Sequence, residues 1–209
     1  MSTGMTSRFL PALLMVFTAL TANAVPTPGN ISPQELVRDT SSRMLSALRD
    51  EREEIASNPG RLYELVADIV LPYFDFERMS QWVLGKNWRT ATPEQRVQFV
   101  EQFRRLLVRT YGTALSDYAD EKIIYLPHSG SGDGVKVTVR TEIEQGGSTI
   151  PINYSMYNSK DGWKVYDVAI SGVSLVTNYR STFASIIRGE GMGSLIDQLV
   201  KRNGALSGD

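Results

Sequence analysis

Val83–Tyr111 reads VLGKNWRTATPEQRVQFVEQFRRLLVRTY, and it carries the signals that organise the rest of the chain. Gly85 ends whatever helix precedes it. Thr92-Pro93-Glu94-Gln95 opens the next one, with a Thr cap, Pro at the first helical position and Gln placed to reach back. Behind that cap Val97, Val100, Phe103, Leu106, Leu107 and Tyr111 recur at about 3.6-residue spacing, the apolar stripe of a core-covering helix. The helix should run to about Tyr118, with Arg96, Arg104, Arg105 and Arg109 on its other faces. Nothing on this stretch has the spacing of a catalytic set.

Upstream, Ser32-Pro33-Gln34-Glu35 is a capping box that opens a helix through Leu36, Val37, Met44, Leu45 and Leu48. Its end is the charged run Arg49–Glu54, read as a solvated helix face. Asn58-Pro59 opens a second helix carrying Leu62, Leu65, Val66, Ile69 and Val70 on one side, and Pro72 stops it. Asp75 is placed to cap a short third helix through Phe76, Met79, Trp82 and Val83.

Downstream the periodicity changes from helix to strand. Ile123–Leu126 is a short strand, and a turn-rich stretch through His128 and Gly134 follows. Val135, Val137, Val139 and Ile143 alternate with polar residues, as a half-buried strand requires. Gln145-Gly146-Gly147-Ser148 is a hairpin signal. The next strand puts Ile150, Ile152, Tyr154 and Met156 on one face, and a fourth puts Tyr166, Val168 and Ile170 on one face. After Gly172 a helix through Leu175, Val176, Tyr179, Phe183, Ile186 and Ile187 closes at Gly189. A last one, Leu195–Lys201, follows the Gly191-Met192-Gly193 hinge. Helices, a meander of about four antiparallel strands, then helices make an α+β domain.

The N-terminus reads as a secretory signal: Arg8, an apolar run from Phe9 to Ala22, then Ala22-Asn23-Ala24 for cleavage after Ala24. The run is shorter than the roughly 20 residues of a membrane span. The expected organisation is therefore a signal peptide at 1–24, a flexible lead-in at 25–31, one domain at 32–203 and a disordered tail at 204–209, with the periplasm as destination. The chain has 22 basic against 23 acidic residues and lacks the basic face that nucleic acid requires. It has no cysteine, which excludes thiol catalysis, Cys-ligated zinc and iron–sulfur clusters.

Catalytic candidates are few. The single histidine, His128, sits in a Gly/Ser-rich loop, a poor frame for a relay, and no metal set can be assembled around it. Asp75 and Asp167 could act as a general base beside an apolar cavity, yet Asp75 also suits a helix cap, and Asp167 falls on the face away from the apolar side. The abundant large apolar side chains suit either a filled core or a hollow one, which periodicity does not distinguish.

Two segments resemble a known family. Val83-Leu84-Gly85-Lys86, Trp88-Arg89, Ala91 and Pro93-Glu94-Gln95-Arg96, continued by Phe99, Phe103, Leu106-Leu107 and Thr110-Tyr111, are similar to one hallmark of the MlaC family. Gly162-Trp163-Lys164-Val165-Tyr166-Asp167-Val168, then Gly172-Val173-Ser174-Leu175-Val176 with Asn178-Tyr179-Arg180 and Phe183, are similar to a second. That family comprises periplasmic phospholipid carriers of outer-membrane lipid-asymmetry and toluene-tolerance systems. The resemblance implies helices packed on a curved antiparallel sheet, a nuclear-transport-factor-2-like cone with an apolar cavity for acyl tails. It implies a glycerophospholipid cargo, no cofactor, no metal and no catalytic residue. The implied partners are an outer-membrane lipoprotein–porin complex and an inner-membrane ABC transporter with a substrate-binding ring.

On this reading the cavity is expected between the sheet residues Val137, Val139, Ile152, Tyr154, Met156, Val168 and Ile170 and the helical residues that face them. The latter are Phe74, Phe76, Met79, Val83, Phe103, Leu107, Tyr111, Val176, Tyr179 and Phe183. Arg140 and Arg180 are candidates for the head-group phosphate, or surface cations paired with acidic neighbours. Lys86, Trp88 and Arg89 are either a partner-docking edge or a turn packed under its Trp. Two other readings stay open: a cone-fold enzyme on an apolar substrate using Asp75 or Asp167, and a non-lipid interaction module for envelope assembly.

Overall fold

A computed structural model describes residues 31–127, 129–130 and 135–205. The expected signal peptide, the lead-in apart from Ile31, His128 and the last residues of the expected tail lie outside the described residues.

Helix α1 (Pro33–Asp50) begins at the capping box, where Ser32 Oγ accepts the Glu35 N–H at 3.2 Å and the Glu35 carboxylate accepts the Ser32 N–H at 3.0 Å. Helices α2 (Arg52–Ser57) and α3 (Gly60–Ile69) follow, then a 3-10 turn at Leu71–Tyr73. Helix α4 (Phe76–Leu84) is capped by Asp75, whose carboxylate accepts the Arg78 N–H at 2.9 Å. Gly85, at φ 55° and ψ −121°, separates it from the short α5 (Lys86–Thr90). At the start of α6 (Pro93–Asp117), Thr92 and Gln95 exchange side chain–backbone hydrogen bonds at 3.2 and 3.1 Å.

The sheet follows, made of β1 (Lys122–Tyr125), β2 (Ser129–Gly130), β3 (Lys136–Gln145), β4 (Ser148–Ser159), β5 (Gly162–Ile170) and β6 (Val173–Ser174). Its antiparallel order is β1-β3-β4-β5-β6, with β2 also paired to β3. Three long strands, β3 to β5, and three short ones thus give the curved sheet of the α+β class that the element order implies. The last described element is α7 (Leu175–Ala205), kinked at Gly191, where φ is 88°.

The free edge of β5 is covered from outside the sheet. Strand β6 pairs only with Ala169 and Ile170. Further back, Phe74 bridges Val165, and the Asp75 N–H donates to the Val165 carbonyl at 2.9 Å. The segment leading into α4 therefore satisfies groups that an edge strand would otherwise expose.

Several local expectations are corrected. Helix α1 does end in the charged run, at Asp50, but the run does not stop there as helix: Glu51 breaks it and α2 starts anew. Glu51 is no free solvated group either, because Arg61 pairs with it and with Glu54 and Glu64. Val97 is 71% exposed, whereas Phe99, absent from the expected stripe, is fully buried. The buried face of α6 is rotated toward Phe99, Phe103 and Leu106.

A bulge in β5 also changes its facing. Ser155 pairs with Asp167 and Met156 with Val165, so Tyr166 is left over. Val165 takes the inward position, and Tyr166 turns outward, 5.0 Å from Trp82 and 6.1 Å from Tyr157 between ring centres. One extra residue is enough to exchange the two faces of a strand. Near the C-terminus only Gly191 leaves helical geometry, and Gly204 and Ala205, expected in the tail, complete α7.

Two hydrophobic clusters result. One joins the inner face of the sheet to α4, the first half of α6 and α7. The other joins the second half of α1 to α3 and the end of α6.

Candidate functional site

Between the two clusters the interior is not filled. A cavity of about 240 Å³ lies there, larger than the ~150 Å³ apolar voids that stay dry and admit small hydrocarbons. Its walls come from α1 and α3 on one side, the sheet on another, and α6 and the segment from Val70 to Met79 between them. No charged side chain is among those that line it.

The strand register explains the sheet wall. Tyr154 stands opposite Val139 on one side and Val168 on the other, while Ile152 stands opposite Thr141 and Ile170. All of these share the inner face, because alternate residues of a strand point the same way. Ile152, Tyr154, Met156, Val168 and Ile170 line the cavity, as do Phe74, Phe76, Met79, Leu107 and Tyr111 from the helical side.

The remaining expected lining residues do not. Val83, Val137, Val139, Phe103, Val176, Tyr179 and Phe183 are buried in the first cluster. The cause is aromatic packing across α6 and α7. Phe103 lies 5.6 Å from Phe99, 5.4 Å from Tyr179 and 5.9 Å from Phe183 between ring centres. Phe99 and Phe183 meet edge to face at 5.7 Å, a favoured arrangement for rings. Those rings fill the space over one half of the sheet.

Sequence reasoning missed the other wall. Leu36, Val37, Thr40, Met44 and Leu45 on α1, Val66 on α3, and Val108 and Leu115 on α6 line the cavity. Leu36, Val37, Met44, Leu45 and Val66 fall on the apolar helix faces read from the sequence, whereas Thr40, Val108 and Leu115 fall on none. What those faces met was not visible, since nothing local distinguishes a helix over a cavity from one over a packed core.

The two arginines proposed for a phosphate stand elsewhere. Arg140 projects from the face of β3 opposite the buried Val139 and Thr141, and its guanidinium donates to the Pro127 carbonyl at 2.7 Å. Arg180 is on the exposed side of α7, laid over Gly85 so closely that a Cβ there would come within 2.9 Å of its Nη2. Neither lines the cavity.

The two aspartates are structural acceptors. Asp75 accepts from the Arg78 N–H with one oxygen and from the Tyr157 hydroxyl with the other. Asp167 accepts from the Val176 N–H at 3.1 Å and the Ser174 hydroxyl at 2.6 Å. Both are thus occupied at helix starts, and neither lines the cavity. Lys86, Trp88 and Arg89 form α5, held by Arg96, whose guanidinium donates to the Trp88 and Arg89 carbonyls.

Tyr154 is the most enclosed ionisable group at the cavity. Burial pushes its phenol up to about 12. It keeps some free surface because that surface faces the cavity. Tyr111, at the α6 wall, is also raised, first by burial and then by the adjacent Tyr179 phenol. These hydroxyls are neutral at physiological pH and supply hydrogen bonds without charge. Among the described residues no cluster of three or more acidic or histidine side chains is placed to hold a metal ion. Among them too, no helix is long and apolar enough to cross a membrane.

Known proteins share this architecture. The chain is similar to the toluene tolerance protein ttg2D of Pseudomonas putida, with 30% identity over 186 residues covering 88% of this chain and 83% of the relative. It is 27% identical over 172 residues to the intermembrane phospholipid transport system binding protein MlaC of Haemophilus influenzae, covering 80% of each. The structure of a phospholipid-binding protein from Ralstonia solanacearum, in complex with a phospholipid, matches with a TM-score of 0.79 and 32% identity. That match covers 85% of this chain and 99% of the other. The family model described as MlaC protein matches residues 38–201. With cavity, sheet and sequence in agreement, the chain belongs to the MlaC protein family.

Proposed function

We propose that this chain is a phospholipid carrier of the bacterial periplasm, exported by a signal peptide cleaved after Ala24. It takes the acyl tails of a glycerophospholipid into the cavity between α1, α3 and the sheet. It then exchanges that lipid between an outer-membrane lipoprotein–porin complex and an inner-membrane ABC transporter with its substrate-binding ring, maintaining outer-membrane lipid asymmetry. The observation that carries this reading is an uncharged, largely aliphatic cavity between two separate hydrophobic clusters.

The energetics suit such a role. Two ordinary acyl chains hold on the order of 30 methylenes, each about 0.8 kcal/mol more favourable out of water. The sum, about 24 kcal/mol, keeps free lipid from crossing an aqueous space. A carrier need only match the bilayer closely enough for its partners to tip the exchange. No bond is made or broken, so the carrier needs no catalytic residue or cofactor.

Lipid mass spectrometry on the purified mature protein, followed by uptake from phospholipid vesicles, tests the proposal. A phospholipid bound in a defined ratio is the expected result. A protein that is recovered empty and extracts nothing from vesicles is not a carrier.

A further inference from the structure

At one end of the cavity the elements that wall it all stop at the same level. Helix α6 lines it from Leu107 to Leu115, about 12 Å of helix at 1.5 Å per residue. Phe103, one turn before Leu107 on the same face, does not line it. Helix α4 lines it at Phe76 and Met79 but not at Val83, the next turn. On the sheet the last lining residues are Met156 of β4 and Val165 of β5, which are register partners. Beyond them Val137, opposite Met156 on β3, and Trp163, two residues before Val165, contribute nothing to the lining.

Met79, Leu107, Met156 and Val165 therefore make an end wall. Met79 and Met156 have no exposed surface, and Val165 and Leu107 keep 3% and 6%. Val83 and Phe103 continue the same cluster past this wall, and Phe103 is held among the rings of Phe99, Tyr179 and Phe183. A region packed to crystal-like density has no space into which the wall could recede. The opposite end is different. Leu45, Val70 and Leu71 line the cavity there and pack against the second cluster, yet they are only partly buried.

We propose that Met79, Met156 and Val165 form an end-stop that sets the length of acyl chain the cavity accepts. The inference deepens the lipid-carrier reading and rests on it. A chain enters methyl end first, because the polar head group loses its water at high cost and stays outside. Until the methyl reaches the wall, each methylene is housed as it would be in a bilayer, and length has no effect. Past that point every further methylene leaves the bilayer without gaining an apolar place. Each one lowers uptake from a bilayer about fourfold, the worth of one methylene's burial. Chain length, rather than head group, is then what this end of the cavity selects.

The test presents the lipid-free mature protein with vesicles of equimolar phosphatidylglycerols that differ only in chain length, from well below to well above the ordinary range. Mass spectrometry reads the chain lengths of the bound lipid against those of the vesicles. The wild type should bind evenly up to a limit and then fall about fourfold per methylene. Met156→Ala and Met79→Ala should each raise the limit by about two methylenes, because each empties space at the wall. Val165→Leu, which adds a methylene there, should lower it by about one. Leu45→Ala, at the opposite end, should leave it in place. The readout is the composition of the bound lipid and not its amount, so a variant that folds less well still reports its limit. Wild-type uptake that does not fall with length overturns the end-stop and leaves the carrier reading intact. A limit that stays put in both methionine variants, or that moves as far in Leu45→Ala, overturns it as well. Uptake of no lipid at any length overturns the carrier reading and this inference together.

Discussion

The two halves of the interior are built from similar residues and end differently. Over one half of the sheet, Phe99, Phe103, Tyr179 and Phe183 meet ring against ring and leave no space. Over the other half, Leu36, Met44, Val66, Val108 and Leu115 surround a cavity. The rings of α6 and α7 come from adjacent packed helices and interlock. The aliphatic side chains of α1 and α3 reach in without meeting one another across the space beside the sheet. The filled half has no room for a ligand, and the hollow half is where the proposed lipid would lie.

This contrast makes Phe103→Ala the most damaging of the variants considered. It should cost about 3–5 kcal/mol, as large-to-small changes at packed aromatic sites do. Chemical denaturation measures the loss, and the molecules that remain folded should still bind lipid in the normal ratio. A variant that keeps its stability but loses its lipid would reverse the roles of the two halves.

The second test uses pH. Tyr154 ionises at about 12 when folded, against about 10 in an unfolded chain. A raised acid pKa favours the neutral form, so its contribution to stability is complete below pH 10 and falls as pH rises from 10 toward 12. The loss should amount to a few kcal/mol at most. Ultraviolet titration of phenolate absorbance, compared with that of Tyr154→Phe, isolates it. A phenol that ionised near 10 would mean that the hollow half is open to water.

The smallest effect on stability is expected from Val70→Phe, which adds volume on the hollow side. Overpacking a filled core costs roughly 1–3 kcal/mol, but here the ring enters free space, and stability should change by about 1 kcal/mol or less. Lipid uptake should nevertheless fall sharply. If uptake is unchanged, the lipid lies elsewhere.

Much of the fold was legible because its signals are local. The boxes at Ser32–Glu35 and Thr92–Gln95, the cap at Asp75 and the stop at Gly85 depend on residues within one turn. The strand faces followed from alternation until the bulge at Tyr166, which depends on pairing with β4 and leaves no trace in the alternation itself. The sheet wall of the cavity was therefore mostly readable. The α1 and α3 wall was not, since the distance between a helix and a sheet is a tertiary quantity. Phe103, Tyr179 and Phe183 were misassigned because an aromatic side chain fills a core as readily as it lines a cavity, and only their mutual contacts decide which.

The strap through Phe74 and Asp75 serves two neighbours at once. Phe74 lines the cavity, while the backbone at Phe74 and Asp75 covers the edge of β5 at Val165. Any opening that swings this strap away to admit a large cargo uncovers bare strand, a template on which a second molecule can pair. The Tyr157–Asp75 hydrogen bond would then keep that edge covered as well as holding a wall in place.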